Sequence, residues 1–154
     1  MWSPYSLSIP KLESLNISDC SFGLEFSQMS KSTSLKKLNM NNIELWKNIQ
    51  VQYNGPFTSM DCDDVNLDKE IAFLKKLPNL EELYIQGNKI TNVEFVKYIP
   101  KLKKLDITNN YATDLRPLEN LKYLNTVWCG ENSISHGLNL GKNVLVISDS
   151  HAEE

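Results

Sequence analysis

Leu80-Glu81-Glu82-Leu83-Tyr84-Ile85-Gln86-Gly87-Asn88-Lys89-Ile90 places apolar residues at its first, fourth, sixth and eleventh positions and an asparagine at its ninth. The pattern returns as Leu102, Leu105, Ile107, Asn110 and Ala112, and again as Leu124, Val127, Cys129, Asn132 and Ile134. Toward the N-terminus, looser copies begin at Leu12, Leu35 and Phe57, so the six copies starting at 12, 35, 57, 80, 102 and 124 lie 22 or 23 residues apart. A fixed period of that order marks a solenoid, in which a unit too small to bury its own apolar face buries it against its neighbours.

Each copy alternates apolar and polar residues around its second and third apolar positions, which is the mark of a strand with one face buried. Leu77, Ile99 and Leu121 precede the last three copies in phase, as do Val96 and Leu118 further back. The asparagine has a specific task. Its amide carries donors and an acceptor, so inward Asn88, Asn110 and Asn132 can bond the backbone of successive turns. Cys20, Ile43 and Val65 stand there in the first three copies, which predicts a less regular N-terminal half.

The segments returning from one strand to the next differ in kind. Asp68 to Leu77 has Ile71, Leu74 and Leu77 at helical spacing, Asp68 as a cap and Pro78 as a stop, and 92 to 99 reads as helical before Pro100. Asp114 to Asn120 is shorter and reads as a turn or 3₁₀ piece. The segment from Trp46 to Pro56, with Asn54-Gly55-Pro56, reads as a loop. All 154 residues are thereby assigned to one elongated domain, with 1–11 as an improvised N-terminal cap and 135–154 as a C-terminal cap and tail. Within that tail, Asn143 to Ile147 falls slightly out of phase and reads as a closing edge strand.

Composition narrows the function. An apolar share of 41% with 23% charged residues excludes the disordered and fibrous classes. A net charge of -3 leaves no electrostatic footprint for nucleic acid or an anionic membrane, and no apolar run has the roughly 18 residues of a membrane span. Met1-Trp2-Ser3-Pro4-Tyr5 lacks the basic region and apolar stretch of a secretory signal, which favours an intracellular protein, or else an excised piece of a secreted one. The three cysteines all fall at inward positions. Cys62 and Cys129, three repeats apart, would be separated by roughly 14 Å at strand spacing, beyond the ~7 Å limit for a disulfide, so free buried thiols are expected.

Residues 67 to 140 resemble the 22-residue class of leucine-rich repeat found in bacterial internalins and in a regulatory subunit type that binds protein phosphatase 1. The carriers are Leu80, Leu83, Ile85, Asn88, Ile90 and Val93, and their counterparts from Leu102 to Leu115. The first three copies depart from this class by lacking the asparagine. The resemblance implies an α/β fold: a curved right-handed solenoid with a parallel β-sheet on the concave face and short helices and 3₁₀ turns on the convex face. It also implies that a protein is bound on the concave sheet.

On such a sheet the residues between the inward positions point outward. The central outward row reads Asn16, Asn39, Asp61, Tyr84, Asp106 and Trp128, and beside it run Ser14, Lys37, Ser59, Glu82, Lys104 and Thr126. Aromatic residues on an outward face point to an interface, since they dominate binding hot spots. The candidate partner-binding set is therefore Tyr84, Trp128, Asp61, Asp63, Glu82 and Asp106, an acidic face with aromatic anchors that suits a protein partner with a basic surface. The run Asp61-Cys62-Asp63-Asp64 has oxygen ligands suited to calcium but no ordered ligand spacing, so a solvated acidic patch is expected and no metal or other cofactor is assigned. The two histidines, His136 and His151, lie away from the repeat strands, and there is no phosphate-binding glycine loop or nucleophile elbow, so no enzyme activity is expected. Two other readings stay open: a structural repeat segment of a larger bacterial surface or secreted protein with no site of its own, and a homodimer paired through an exposed edge or end.

Overall fold

The computed structural model describes residues 11–22, 32–45, 67–137 and 139–148. Eight short strands occur among them: β1 (Ser14–Asn16), β2 (Ser21–Phe22), β3 (Lys37–Asn39), β4 (Glu44–Leu45), β5 (Glu82–Tyr84), β6 (Lys104–Asp106), β7 (Thr126–Trp128) and β8 (Leu145–Ile147). Six of them form one sheet in the order β1-β3-β5-β6-β7-β8, and every pairing in it is parallel. A second, two-stranded sheet pairs β2 with β4. Parallel neighbours need a crossover between them, and the repeat supplies one crossover per period.

The inward positions make the core. Leu38, Leu83, Leu105 and Val127, one from each of four successive strands, are fully buried, and Met40, Ile85, Ile107 and Cys129 continue beneath them. Leu80 and Leu102 before the strands, and Leu77 and Ile99 before those, close the far side of the same layer. Leu12, Leu15 and Ile17 around β1 are only partly buried, because β1 is the outer strand of the described sheet and is paired on one side only. Cys20, expected to point inward, is exposed for the same reason, while Cys129 is buried as expected, with its thiol pushed up by that burial. Cys62 lies outside the described residues.

The sheet departs from simple counting in the middle. β3 pairs directly with β5, Leu38 opposite Leu83 and Asn39 opposite Tyr84, although 45 residues separate these partners. Residues 46–66, which include the copy that the sequence pattern begins at Phe57, lie outside the described residues. The sixth strand of the sheet is instead β8, the closing strand, which follows β7 after 19 residues rather than 22.

The return segments are tighter than their apolar spacing implies. Leu67–Glu70 is a single α-helical turn that runs into a 3₁₀ helix over Ile71–Lys76, and Glu94–Tyr98 and Arg116–Asn120 are 3₁₀ helices. The first two are helical as expected but wound more tightly, and the last has the 3₁₀ form expected. A 3₁₀ helix rises about 2.0 Å per residue against about 1.5 Å for an α-helix, so five residues cross more of the convex side when wound this way. Asp68, expected as the cap, is the second residue inside the helical turn. Its carboxylate accepts the backbone and hydroxyl donors of Thr91, one repeat further on.

Successive turns are held by the asparagines. Asn110 accepts the amides of Asn88 and Ile90 at 3.0 and 2.9 Å and donates to the carbonyls of Ile85, Ile107 and Thr108. Asn132 accepts the amide of Ala112 and donates to Ile107, Cys129 and Gly130. Asn88 reaches back to the asparagine-free turn, accepting from the amide of Ile43 at 3.1 Å and donating to the carbonyl of Met40 at 2.8 Å. The residue before each of these positions is left-handed: Asp19, Asn42, Gly87, Asn109 and Glu131 have φ between +50° and +69°. A side chain at Gly87 would also collide with Asn42 Oδ1.

Candidate binding face

Sheet register puts the outward side chains in rows. The central row of described residues runs Asn16, Asn39, Tyr84, Asp106, Trp128 and Ile147, and the row beside it runs Ser14, Lys37, Glu82, Lys104, Thr126 and Leu145. Four of the six candidate residues, Tyr84, Glu82, Asp106 and Trp128, thus fall on three adjacent strands. Asp61 and Asp63 lie outside the described residues.

Tyr84 and Trp128 stand on β5 and β7, with β6 between them. Two strand spacings amount to about 9.6 Å, yet the ring centroids are 6.3 Å apart and the planes tilted by 35°. The rings therefore lean toward each other across β6, where the intervening residue of the row is Asp106. Asp106 is 7% exposed. Its carboxylate accepts the amide of Thr108 through Oδ1 at 2.9 Å. Asp106, read as part of an acidic outward face, is thus buried in the row between two aromatic residues.

Glu82 is compensated within the sheet. Lys37 lies 3.4 Å from it on one side and Lys104 3.1 Å on the other, a cross-strand triad of alternating sign. The Tyr84 hydroxyl donates to Glu82 Oε2 at 2.9 Å, and Lys37 Nζ lies 5.2 Å from the centre of the Tyr84 ring. Partial burial works to raise the Glu82 carboxyl, but hydrogen bonds from Tyr84 and Lys104 and the charges of Lys104 and Lys37 outweigh it and hold the group below its ordinary value. Tyr84 moves the other way. Burial, then the hydrogen bond to Glu82 and the charges of Glu82 and Asp106, push its hydroxyl up to about 12. The glutamate and the lysines fix Tyr84 in place, so this part of the face is polar and nearly charge-balanced.

Reading rows of residue types could have found that triad, since Lys37, Glu82 and Lys104 share one row and opposite charges pair across strands. Thr108 gave no such signal. It follows Asp106 on the outward face, is 3% exposed, and its Oγ1 has no hydrogen-bond partner among the described residues. Away from the sheet, Asp114 and Arg116 form an exposed ion pair through Nε at 3.0 and 2.9 Å, which holds the Asp114 carboxyl down to about 2. Among the described residues there is no group of three metal-ligating side chains, and no helix is long and apolar enough to cross a membrane.

Residues 78–120 match the family model of leucine rich repeats in two copies. By sequence, no curated protein matches the chain. Among solved structures, the chain is similar to an internalin, InlF, of Listeria monocytogenes, with 20% identity and a TM-score of 0.46 over 75% of this chain and 48% of that one. It is also similar to internalin C2 of the same organism, with 18% identity and a TM-score of 0.43 over 90% of this chain and 80% of the other. A third likeness is to TLR13 in its complex with ssRNA13, at 15% identity and a TM-score of 0.36 over 93% of this chain and 32% of that chain. The chain thus spans about half the length of the InlF chain.

Proposed function

We propose that this leucine-rich repeat solenoid is a protein-binding module that takes its partner on the concave sheet, with Tyr84 and Trp128 as anchors. The observation that carries the reading is the aromatic pair itself. Two large rings share the outward face of β5 and β7, half-buried and in contact with each other, on the middle strands of a sheet whose opposite face is the core. Rigid aromatics with a polar tip give contact area at low entropic cost and are enriched at interface centres. Glu82 and its two lysines hold Tyr84 in a fixed pose, so less order has to be imposed when a partner arrives. The surrounding row of Lys37, Glu82, Lys104 and Thr126 supplies the polar rim.

The test is a capture experiment from lysate of the source organism, with wild type beside the Tyr84→Ala/Trp128→Ala double variant, followed by an affinity measurement on the retained protein. A partner held by wild type and at least ~100-fold weaker on the double variant supports the concave face. A partner bound equally by both moves the site elsewhere on the solenoid.

A further inference from the structure

Asp106 carries a charge that its place in the fold does not require. Three residues of the central row use a side-chain oxygen to accept the backbone amide two positions on: Asn16 from Ser18 at 3.0 Å, Asn39 from Asn41 at 3.0 Å, and Asp106 from Thr108 at 2.9 Å. Two neutral amides perform this task and the third performer is a carboxylate. Nor does an ion pair explain it. The lysines of the adjacent row are engaged with Glu82, and among the described residues no cation pairs with Asp106. A carboxylate buried to 7% exposure without a countercharge destabilises the folded state.

The residue after next adds a second unmet group. Thr108 Oγ1 is buried and has no hydrogen-bond partner among the described residues. Its backbone amide donates to the Asp106 carboxylate, two positions earlier on the same outward face. Tyr84 and Trp128 flank the pair, and continuing the β6–β7 register sets Gly130, which has no side chain, opposite Thr108.

We propose that this niche receives the ammonium of a lysine side chain presented by the protein partner. The assignment rests on the concave-face reading above and gives its central contact. The charge that Asp106 lacks is positive, and the flanking aromatic faces attract cations and cover a methylene stem. A lysine fits better than an arginine because Oδ1 is already taken by the Thr108 amide. That leaves the other carboxylate oxygen and, two residues on, the unpartnered Thr108 hydroxyl as acceptors for the several donors of one ammonium nitrogen. A guanidinium fork seeks both carboxylate oxygens in one plane, and one of them is already occupied.

The test uses blocked single amino acids as probes. N-acetyl-lysine methylamide is titrated to ~50 mM, the range where a single side-chain contact is measurable, while the Trp128 indole and Thr108 amide resonances are followed by NMR. The lysine probe should shift both, the arginine probe less, and the uncharged norleucine probe not at all. Asp106→Asn keeps the amide acceptor and should abolish the lysine shift while raising the urea midpoint, because it removes an unpaired buried charge. Thr108→Val keeps the shape without the hydroxyl and should weaken the lysine response several-fold. Equal shifts with norleucine, an unchanged response in Asp106→Asn, or no shift with any probe would overturn the assignment. If the captured partner is still lost by Tyr84→Ala/Trp128→Ala in that case, the concave-face reading stands and only the lysine falls.

Discussion

Tyr84 and Trp128 come from strands that are not neighbours, yet their rings meet at 6.3 Å above the strand between them. The contact therefore ties together three repeats rather than two. Aromatic pairs contribute about 0.5–1.5 kcal/mol beyond the area they bury, and this one has a measurable signature. In a double-mutant cycle of Tyr84→Ala and Trp128→Ala, urea unfolding should give a coupling energy of about 1 kcal/mol. Additive single losses would show that the rings share a face without stabilising each other.

Among the described residues, Asn110 should be the most sensitive polar one. It is 2% exposed, and Asn110→Ala removes the acceptor for two amides and the donor for three carbonyls. Each buried backbone group left unpaired costs about 1–3 kcal/mol, so a loss of about 3 kcal/mol or more is expected once relaxation and water are allowed for. Asn132 is only partly buried and accepts one amide, so Asn132→Ala should cost less. Urea midpoints for the two variants give the ranking, and the reverse order would contradict the ladder as drawn.

How far the sequence discloses this fold varies along the chain, for physical reasons. From Leu80 onward the apolar positions and asparagines specify strand, turn and register together, and the register observed is the one expected: Leu83, Leu105 and Val127 stand side by side. The copy at Phe57 satisfies the apolar spacing alone. It lacks the asparagine, and it sets Asp61, Asp63 and Asp64 around its centre, a residue type that disfavours strands. Spacing counts residues, but pairing joins β3 to β5 across 45 of them. The site divides in the same way. Alternation placed Tyr84, Glu82, Asp106 and Trp128 on one face, since facing follows from parity. It could not show that Asp106 is buried between the two aromatic residues, or that Glu82 is met by lysines on both sides, because side-chain direction within a face depends on its neighbours.

Gly87 tests the left-handed ladder. Asn42, Asn109 and Glu131 hold positive φ at the equivalent place, so that conformation alone does not demand glycine here. Space adds to the strain of that φ, because a Cβ would collide with Asn42 Oδ1, the end of a side chain that would have to shift. Gly87→Ala should lose about 1–2 kcal/mol from strain and displacement together. Pairing it with Asn42→Gly, which clears the obstruction, should recover part of that loss in a double-mutant cycle. No recovery would assign the whole cost to backbone strain.

The Tyr84 hydroxyl gives the face a pH signature. Its ordinary value of 10.0 applies to the unfolded chain, and burial with the Glu82 hydrogen bond moves it to about 12 in the folded one. Between those two values the unfolded state has released this proton and the folded state has kept it. The unfolded state then binds fewer protons, so stability falls as pH rises. The contribution is complete below pH 10 and lost as pH passes through about 12. Tyr84→Phe removes the titrating group and the bond to Glu82 while keeping the ring against Trp128. The stability difference between wild type and Tyr84→Phe, measured by urea unfolding at a series of alkaline pH values, should therefore shrink across that window. A difference that stays constant would mean that the hydroxyl feels neither the burial nor the carboxylate placed beside it.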